Sequence, residues 1–125
     1  MNYNLFLDDV RMPRDVKWIE LPLVNWTIVR SYPEFVAMIE FMGELPSIIS
    51  FDHDLGAEHY PTGEQTGNEK LPYESYKEKT GYHCALWLCE YCLKKNLPLP
   101  DYLVHSLNIA GRANIESLLQ SFKNR

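Results

Sequence analysis

Three short apolar runs that each end abruptly in carboxylates or imidazoles constrain this chain more than any other feature. Tyr3-Asn4-Leu5-Phe6-Leu7 runs into Asp8-Asp9, and Ser47-Ile48-Ile49-Ser50-Phe51 runs into Asp52-His53-Asp54. Tyr102-Leu103-Val104 runs into His105-Ser106-Leu107-Asn108. Near-continuous apolar runs of this length read as strands buried on both faces, with their C-terminal ends emerging at a surface. The first strand is expected over residues 3 to 8. A further strand is expected over Asn25-Trp26-Thr27-Ile28-Val29-Arg30, which is rich in β-branched and aromatic residues.

Helical signals fall between these strands. Ser31 and Glu34 have capping-box spacing, and Phe35, Ile39 and Met42 give the helix that follows an apolar face ending near Gly43. A second helix is expected from Thr80 to Asn96, stopped by Pro98 and Pro100. Asn108 caps a third, in which Ile115, Leu118, Leu119 and Phe122 recur at helical spacing. A helical turn is expected around Val16-Lys17-Trp18-Ile19, and residues 57–79 read as a long loop, either a lid over a site or a solvated insertion. Alternating strands and helices predict an α/β fold, with a parallel sheet and helices on its faces. In such sheets ligands bind beyond the carboxyl ends of the strands, where the three polar clusters lie.

The 125 residues suit a single domain spanning 1–125, and a composition 46% hydrophobic supplies a core. Seventeen acidic against twelve basic residues leave a net charge of −5, which disfavours non-specific binding to nucleic acid. The absence of a long apolar stretch and of a basic leader predicts a cytoplasmic protein with no membrane partner. Cys89 and Cys92 have the CxxC spacing of zinc and redox sites, but together with Cys84 they recur at helical spacing and read as core.

Aspartate is poorly suited to burial unless it is paired or bound to a cation. Asp8, Asp9, Asp52 and Asp54 at strand ends therefore point to a divalent metal, Mg²⁺ first and Mn²⁺ or Zn²⁺ as alternatives. His53 and His105 flank the same edge and suit general acid and base roles near neutral pH. The segment from Ser106 to Arg112 joins a strand end to a helix start. Its backbone N–H groups, with Ser106, Asn108, Gly111 and Arg112, suit a phosphate, which Arg11 could also reach.

Leu5-Phe6-Leu7-Asp8-Asp9-Val10-Arg11-Met12-Pro13, Phe51-Asp52-His53-Asp54-Leu55-Gly56 and Val104-His105-Ser106-Leu107-Asn108-Ile109-Ala110-Gly111-Arg112-Ala113-Asn114 together resemble the cyclic-phosphate processing receiver-like family of bacteria and phages. The resemblance implies a reduced receiver or flavodoxin-like three-layer sandwich, with about four parallel strands in the order 2-1-3-4 and helices on both faces. It implies that Asp8, Asp9 and Asp52 hold Mg²⁺ and that Ser106 takes the place of the receiver hydroxyl. Relatives often carry proline where this chain has Ile109, a change that removes no polar group. The pattern lacks a receiver's fifth strand with its lysine, so cyclic-phosphate chemistry is implied in place of phosphoaspartate signalling.

The reading that follows is a metal-assisted phosphoesterase that opens a cyclic phosphate on a nucleotide or ADP-ribose-like substrate. Its catalytic residues would be His53, His105 and Asp52, and aromatic groups such as Tyr60 or Tyr73 could stack on a base. On this assignment, His105→Ala removes turnover and leaves fold and metal binding nearly intact. The alternatives are a module that sequesters a nucleotide without catalysis, or a degenerate receiver acting as an interaction domain.

Overall fold

Leu5, Phe6 and Leu7 are wholly buried in succession, as a central parallel strand requires. In the computed structural model, which describes residues 3–61, 63 and 65–125, these residues form β1 (Asn4–Leu7). It lies between β2 (Thr27–Val29) and β3 (Ile48–Phe51), and β4 (Asp101–Val104) completes a sheet of order β2-β1-β3-β4. Every pairing is parallel. The fold class and strand order are those expected for a receiver-like α/β protein.

The register decides which residues meet. Leu7 lies opposite Val29 on one side and Phe51 on the other, and Phe51 lies opposite Val104. The ladder runs one residue further: Asp8 N–H donates to the Val29 carbonyl (3.1 Å), Asp52 N–H to that of Leu7 (2.9 Å) and His105 N–H to that of Phe51 (2.9 Å). Asp8, Asp52 and His105 are therefore side-by-side neighbours across three strands.

Helices α1 (Tyr32–Met42), α2 (Gly81–Lys95) and α3 (Ile109–Lys123) provide the cover. Phe35 and Ile39 of α1, Cys84, Leu88 and Cys92 of α2, and Ile115 and Leu119 of α3 join one cluster with Leu5, Leu7, Val29, Ile49, Phe51 and Val104. Because side chains alternate along a strand, these strand residues share a single face. The expectation of helices on both faces is corrected accordingly: among the described residues, all three helices bury side chains against that one face. Phe6, on the other side, meets the edge of Trp26 at 6.1 Å and the His105 ring stacked at 4.6 Å. The 8–26 connection covers this second face without a long helix. Its short turn lies at Pro13–Asp15, earlier than expected, because proline presets the backbone for a first helical position.

Capping follows the sequence signals with local variations. Ser31 Oγ accepts from Glu34 N–H, while the Glu34 carboxylate accepts from Arg30 N–H. Thr80 Oγ1 caps α2, and His83 Nδ1 accepts from Thr80 N–H at 2.9 Å, taking the usual place of a glutamate. Among the described residues no helix is long and apolar enough to cross a membrane.

Candidate functional site

Asp8 leaves β1 fully buried and heavily bonded. Its Oδ1 accepts from the N–H groups of Val10 (3.0 Å) and Arg11 (2.8 Å), and its Oδ2 lies 3.0 Å from His105 Nε2. Arg30 fastens this turn from β2, donating from Nη1 to the carbonyls of Asp8 (3.0 Å) and Arg11 (2.6 Å). The other ring nitrogen of His105, Nδ1, is 2.7 Å from Ser50 Oγ, and Trp18 Nε1 donates to the His105 carbonyl at 2.7 Å.

The donor logic of this group is definite. Burial alone would raise the Asp8 carboxyl, but the His105 hydrogen bond and the two N–H groups outweigh it and hold the carboxyl down to about 2. Burial also lowers the His105 pKa, against the pull of Asp8. At neutral pH a neutral ring thus donates from Nε2 to the Asp8 carboxylate and accepts from the Ser50 hydroxyl. A hydroxyl can both donate and accept, so Ser50 also accommodates the opposite tautomer, in which Nε2 is free to bind a metal.

Asp52 stands next to Asp8. Burial first, and then the charge of Asp8, raise its carboxyl to about 8. Asp8, Asp52 and His105 each offer a ligand atom, and these atoms lie within 4.8 Å of one another. Arg11 Nη1 lies 3.6 Å from Asp8 Oδ2 and pulls the Asp52 carboxyl down only in part, so burial and the charge of Asp8 keep one of the two neighbouring carboxyls protonated. Two such buried carboxyls side by side, together with an imidazole, make a donor set that fits a divalent cation such as Mg²⁺ or Mn²⁺.

The chain turns immediately after β3, so Asp52 and Asp54 both reach a cleft while His53 lies behind them, wholly buried. The turn depends on two close approaches. Gly81 N–H donates to the His53 carbonyl at 2.8 Å, and a Cβ at Gly81 would stand 1.8 Å from the Asp52 carbonyl oxygen. A Cβ at Gly111 would stand 2.3 Å from the His53 ring. Only glycine fits at either position.

A hydrogen-bonded chain holds His53. Asn114 Nδ2 donates to the Tyr73 hydroxyl (2.9 Å), which donates to His53 Nε2 (3.0 Å). His53 Nδ1–H donates to Asp54 Oδ1 (2.7 Å), which also accepts from Asn108 Nδ2 (2.9 Å). Asn108 caps α3 as expected, through Oδ1 to Gly111 N–H at 2.9 Å.

Arg11, Asp52, Asp54, Tyr60, Pro61, Leu107 and Asn108 line a cleft of about 270 Å³. Of the residues expected at the site, Arg11, Asp52, Asp54 and Asn108 meet here, with Asp8 and His105 directly beneath. Asp9 lies at the rim, where the Tyr60 hydroxyl donates to it at 3.2 Å, and burial raises its carboxyl. Ser106 is buried and accepts from Asn108 N–H, so it shapes the turn, and Gly111 serves the packing of His53. Arg112 turns outward to Glu116 at 3.3 Å. Gln65 Oε1 accepts from Ile109 N–H at 2.9 Å, so a loop side chain occupies the helix start expected to receive phosphate.

His59 is a packing residue. Its Nδ1 accepts from Leu55 N–H and its Nε2 donates to the Glu78 carbonyl, which ties the two ends of the 57–79 loop together. Cys84, Cys89 and Cys92 are buried free thiols of the α2 core. Sequence reasoning missed Ser50, although it is the one polar residue inside the apolar run Ile48-Ile49-Ser50-Phe51. It also missed Arg30 and Asn114, whose partners lie far away in sequence and leave no local signal.

The model of the cyclic-phosphate processing Receiver domain matches residues 3–121. No curated protein and no solved structure matches the chain. With the match covering nearly the whole chain, and with the strand order and buried acidic cluster observed, the chain belongs to the cyclic-phosphate processing Receiver domain family.

Proposed function

We propose that this protein is a metal-assisted phosphoesterase that opens a cyclic phosphate on a nucleotide or ADP-ribose-like substrate. The observation that carries the reading is the Asp8, Asp52 and His105 group beside a cleft that Arg11 and Asn108 also line. Asp8, Asp52 and His105 would hold a Mg²⁺ or Mn²⁺ ion, with Asp9 close by at the rim. Such an ion supplies Lewis-acid polarisation of a phosphoryl oxygen and lowers the pKa of water.

The remaining roles belong to the chain itself. Arg11 offsets phosphate charge, and the Asn108 amide donates to a phosphate oxygen. Asp54, held by His53 and Asn108 and facing the cleft, accepts the proton of the attacking water. The new P–O bond to water forms as one P–O ester bond breaks, the leaving oxygen takes the proton from Asp54, and a linear phosphate monoester results, so that the substrate gains one water and Asp54 is a carboxylate again. Both imidazoles are wholly buried behind carboxylates, His53 behind Asp54 and His105 behind Asp8. His53 therefore orients Asp54, and His105 orients Asp8 or joins it as a ligand of the ion; neither touches substrate oxygens directly.

The cleft lies just below the roughly 300–1,000 Å³ common for ligand sites. That size suits one cyclic-phosphate head flanked by Tyr60, Pro61 and Leu107. The same burial of both imidazoles favours one other reading, sequestration of the ligand without turnover. Incubation with 2′,3′-cyclic nucleotides, 3′,5′-cyclic nucleotides, cyclic dinucleotides and ADP-ribose cyclic phosphate, with Mg²⁺ or Mn²⁺ and read by mass spectrometry, separates the two. A gain of one water that is lost with EDTA and in Asp52→Asn supports hydrolysis, whereas ligand returned intact from the denatured protein supports sequestration.

A further inference from the structure

The cleft next to the phosphate side is not the largest in the molecule. A second one, of about 640 Å³, opens between the 67–73 segment and α3, and Lys70, Tyr73, Tyr82, Asn114, Ser117 and Ser121 are among the residues that line it. Asn114, Ser117 and Ser121 follow one another at i, i+3 and i+7, so they present an amide and two hydroxyls along one side of α3. Tyr73 and Tyr82 stack at 4.5 Å with 14° between their planes, forming an aromatic wall.

The two charged groups of this cleft differ in how they are held. The Glu69 carboxylate is taken up by the Thr66 hydroxyl (2.6 Å) and by the N–H groups of Thr66 and Gly67. Lys70 has no ion pair among the described residues. The cleft therefore offers several neutral donors and acceptors, an aromatic wall and one ammonium with no such pair, beside a Glu69 carboxylate that keeps its charge but has its oxygens turned to Thr66 and Gly67. That combination matches a hydroxyl-rich ligand with an anionic group.

Tyr73 joins this cleft to the first. Its hydroxyl accepts from Asn114, which lines the second cleft, and donates to His53 Nε2. His53 passes its other N–H to Asp54, which lines the first cleft. A ligand that engages Asn114 or the Tyr73 hydroxyl competes for the bond that fixes the His53 tautomer.

We propose that the cleft between residues 67–73 and α3 is a second ligand site, for a pentose or pentose-phosphate moiety, connected to Asp54 through Tyr73. The site does not depend on hydrolysis, and its test reads binding, so the two readings can fail separately. The experiment is titration of the ¹⁵N-labelled protein with ribose 5-phosphate, free of metal, following backbone amides and the ring nitrogens of His53.

Shifts at residues 67–71 and 114–121, accompanied by a change at the His53 ring, are expected. Ser117 is exposed, so Ser117→Trp fills the cleft without disturbing the fold and should abolish the amide shifts. Tyr73→Phe should keep the amide shifts and lose the His53 response. Shifts confined to 8–11, 52–54 and 106–112, or none at millimolar ligand, would overturn the site, and a His53 response that survives Tyr73→Phe would overturn the connection. With adenosine monophosphate as a second probe, one common midpoint for both regions identifies the far end of a single ligand, and two midpoints identify a separate molecule. Either result upholds the second cleft.

Discussion

His105 Nε2 stands 3.0 Å from Asp8 Oδ2 with both side chains wholly excluded from solvent, although 97 residues separate them in the chain. Parallel register creates this contact, by placing the residue after β1 and the residue after β4 on either side of Asp52. It makes His105 a structural partner of the acidic group as well as a candidate ligand.

His105→Ala should therefore destabilise the fold, contrary to the near-neutral effect expected from the sequence. It removes a ring stacked on Phe6 and strands the Asp8 carboxylate and the Ser50 hydroxyl. Cavity and unpaired-group costs together suggest about 3 kcal/mol or more, or roughly 10 °C in Tm for a domain of this size. Thermal denaturation followed by circular dichroism measures it. A loss under about 1 kcal/mol would mean that the pair carries little of the stability.

The pH dependence of stability reports on Asp52. Its folded carboxyl titrates near 8, above the unfolded value of about 3.9, so between these values the folded state binds one more proton than the unfolded state. Stability then falls as pH rises. Below about 6.5 the lowered pKa values of His105 and His83 work in the opposite direction, which leaves pH 6.5–8 as the clean window. In EDTA the wild type should lose stability at up to about 1.4 kcal/mol per pH unit there, and Asp52→Asn should be nearly flat. Urea denaturation at three pH values distinguishes the two slopes.

Divalent metal should stabilise the wild type by mass action, by about 2.7 kcal/mol at a hundredfold excess over Kd. The shift should vanish in Asp52→Asn and in Asp8→Asn, and should survive in Arg112→Ala, whose side chain pairs outward with Glu116. Thermal shift assays with Mg²⁺ and Mn²⁺ provide the readout. An unchanged response in Asp52→Asn would place the metal elsewhere.

Gly111→Ala pushes a methyl group into the His53 ring, and Gly81→Ala pushes one into the Asp52 carbonyl. Each should cost several kcal/mol or prevent folding, because the neighbour in each case is packed ring or backbone. Gly63→Ala, with nothing within 4 Å of the added atom, should stay within about 0.5 kcal/mol and serves as the control. Soluble yield and Tm of the three variants test the contrast.

The local signals in the sequence were sufficient for the four strands, the three long helices and the family, though not for the short turn at Pro13–Asp15. Apolar runs specified the strands, Ser31, Thr80 and Asn108 marked the helix starts, and the acidic residues after Leu7 and Phe51 marked the edge of the sheet where the site lies. These signals are legible because hydrophobic periodicity and capping act between residues a few positions apart. Which of the carboxylates and imidazoles would meet was decided by tertiary structure. Register set Asp8, Asp52 and His105 side by side, and the turn allowed by Gly81 and Gly111 placed His53 behind Asp54. The sequence announces the donors at each strand end; their pairing, their burial and the pKa shifts that follow come from contacts between residues dozens of positions apart, which only the folded chain brings within a few ångströms.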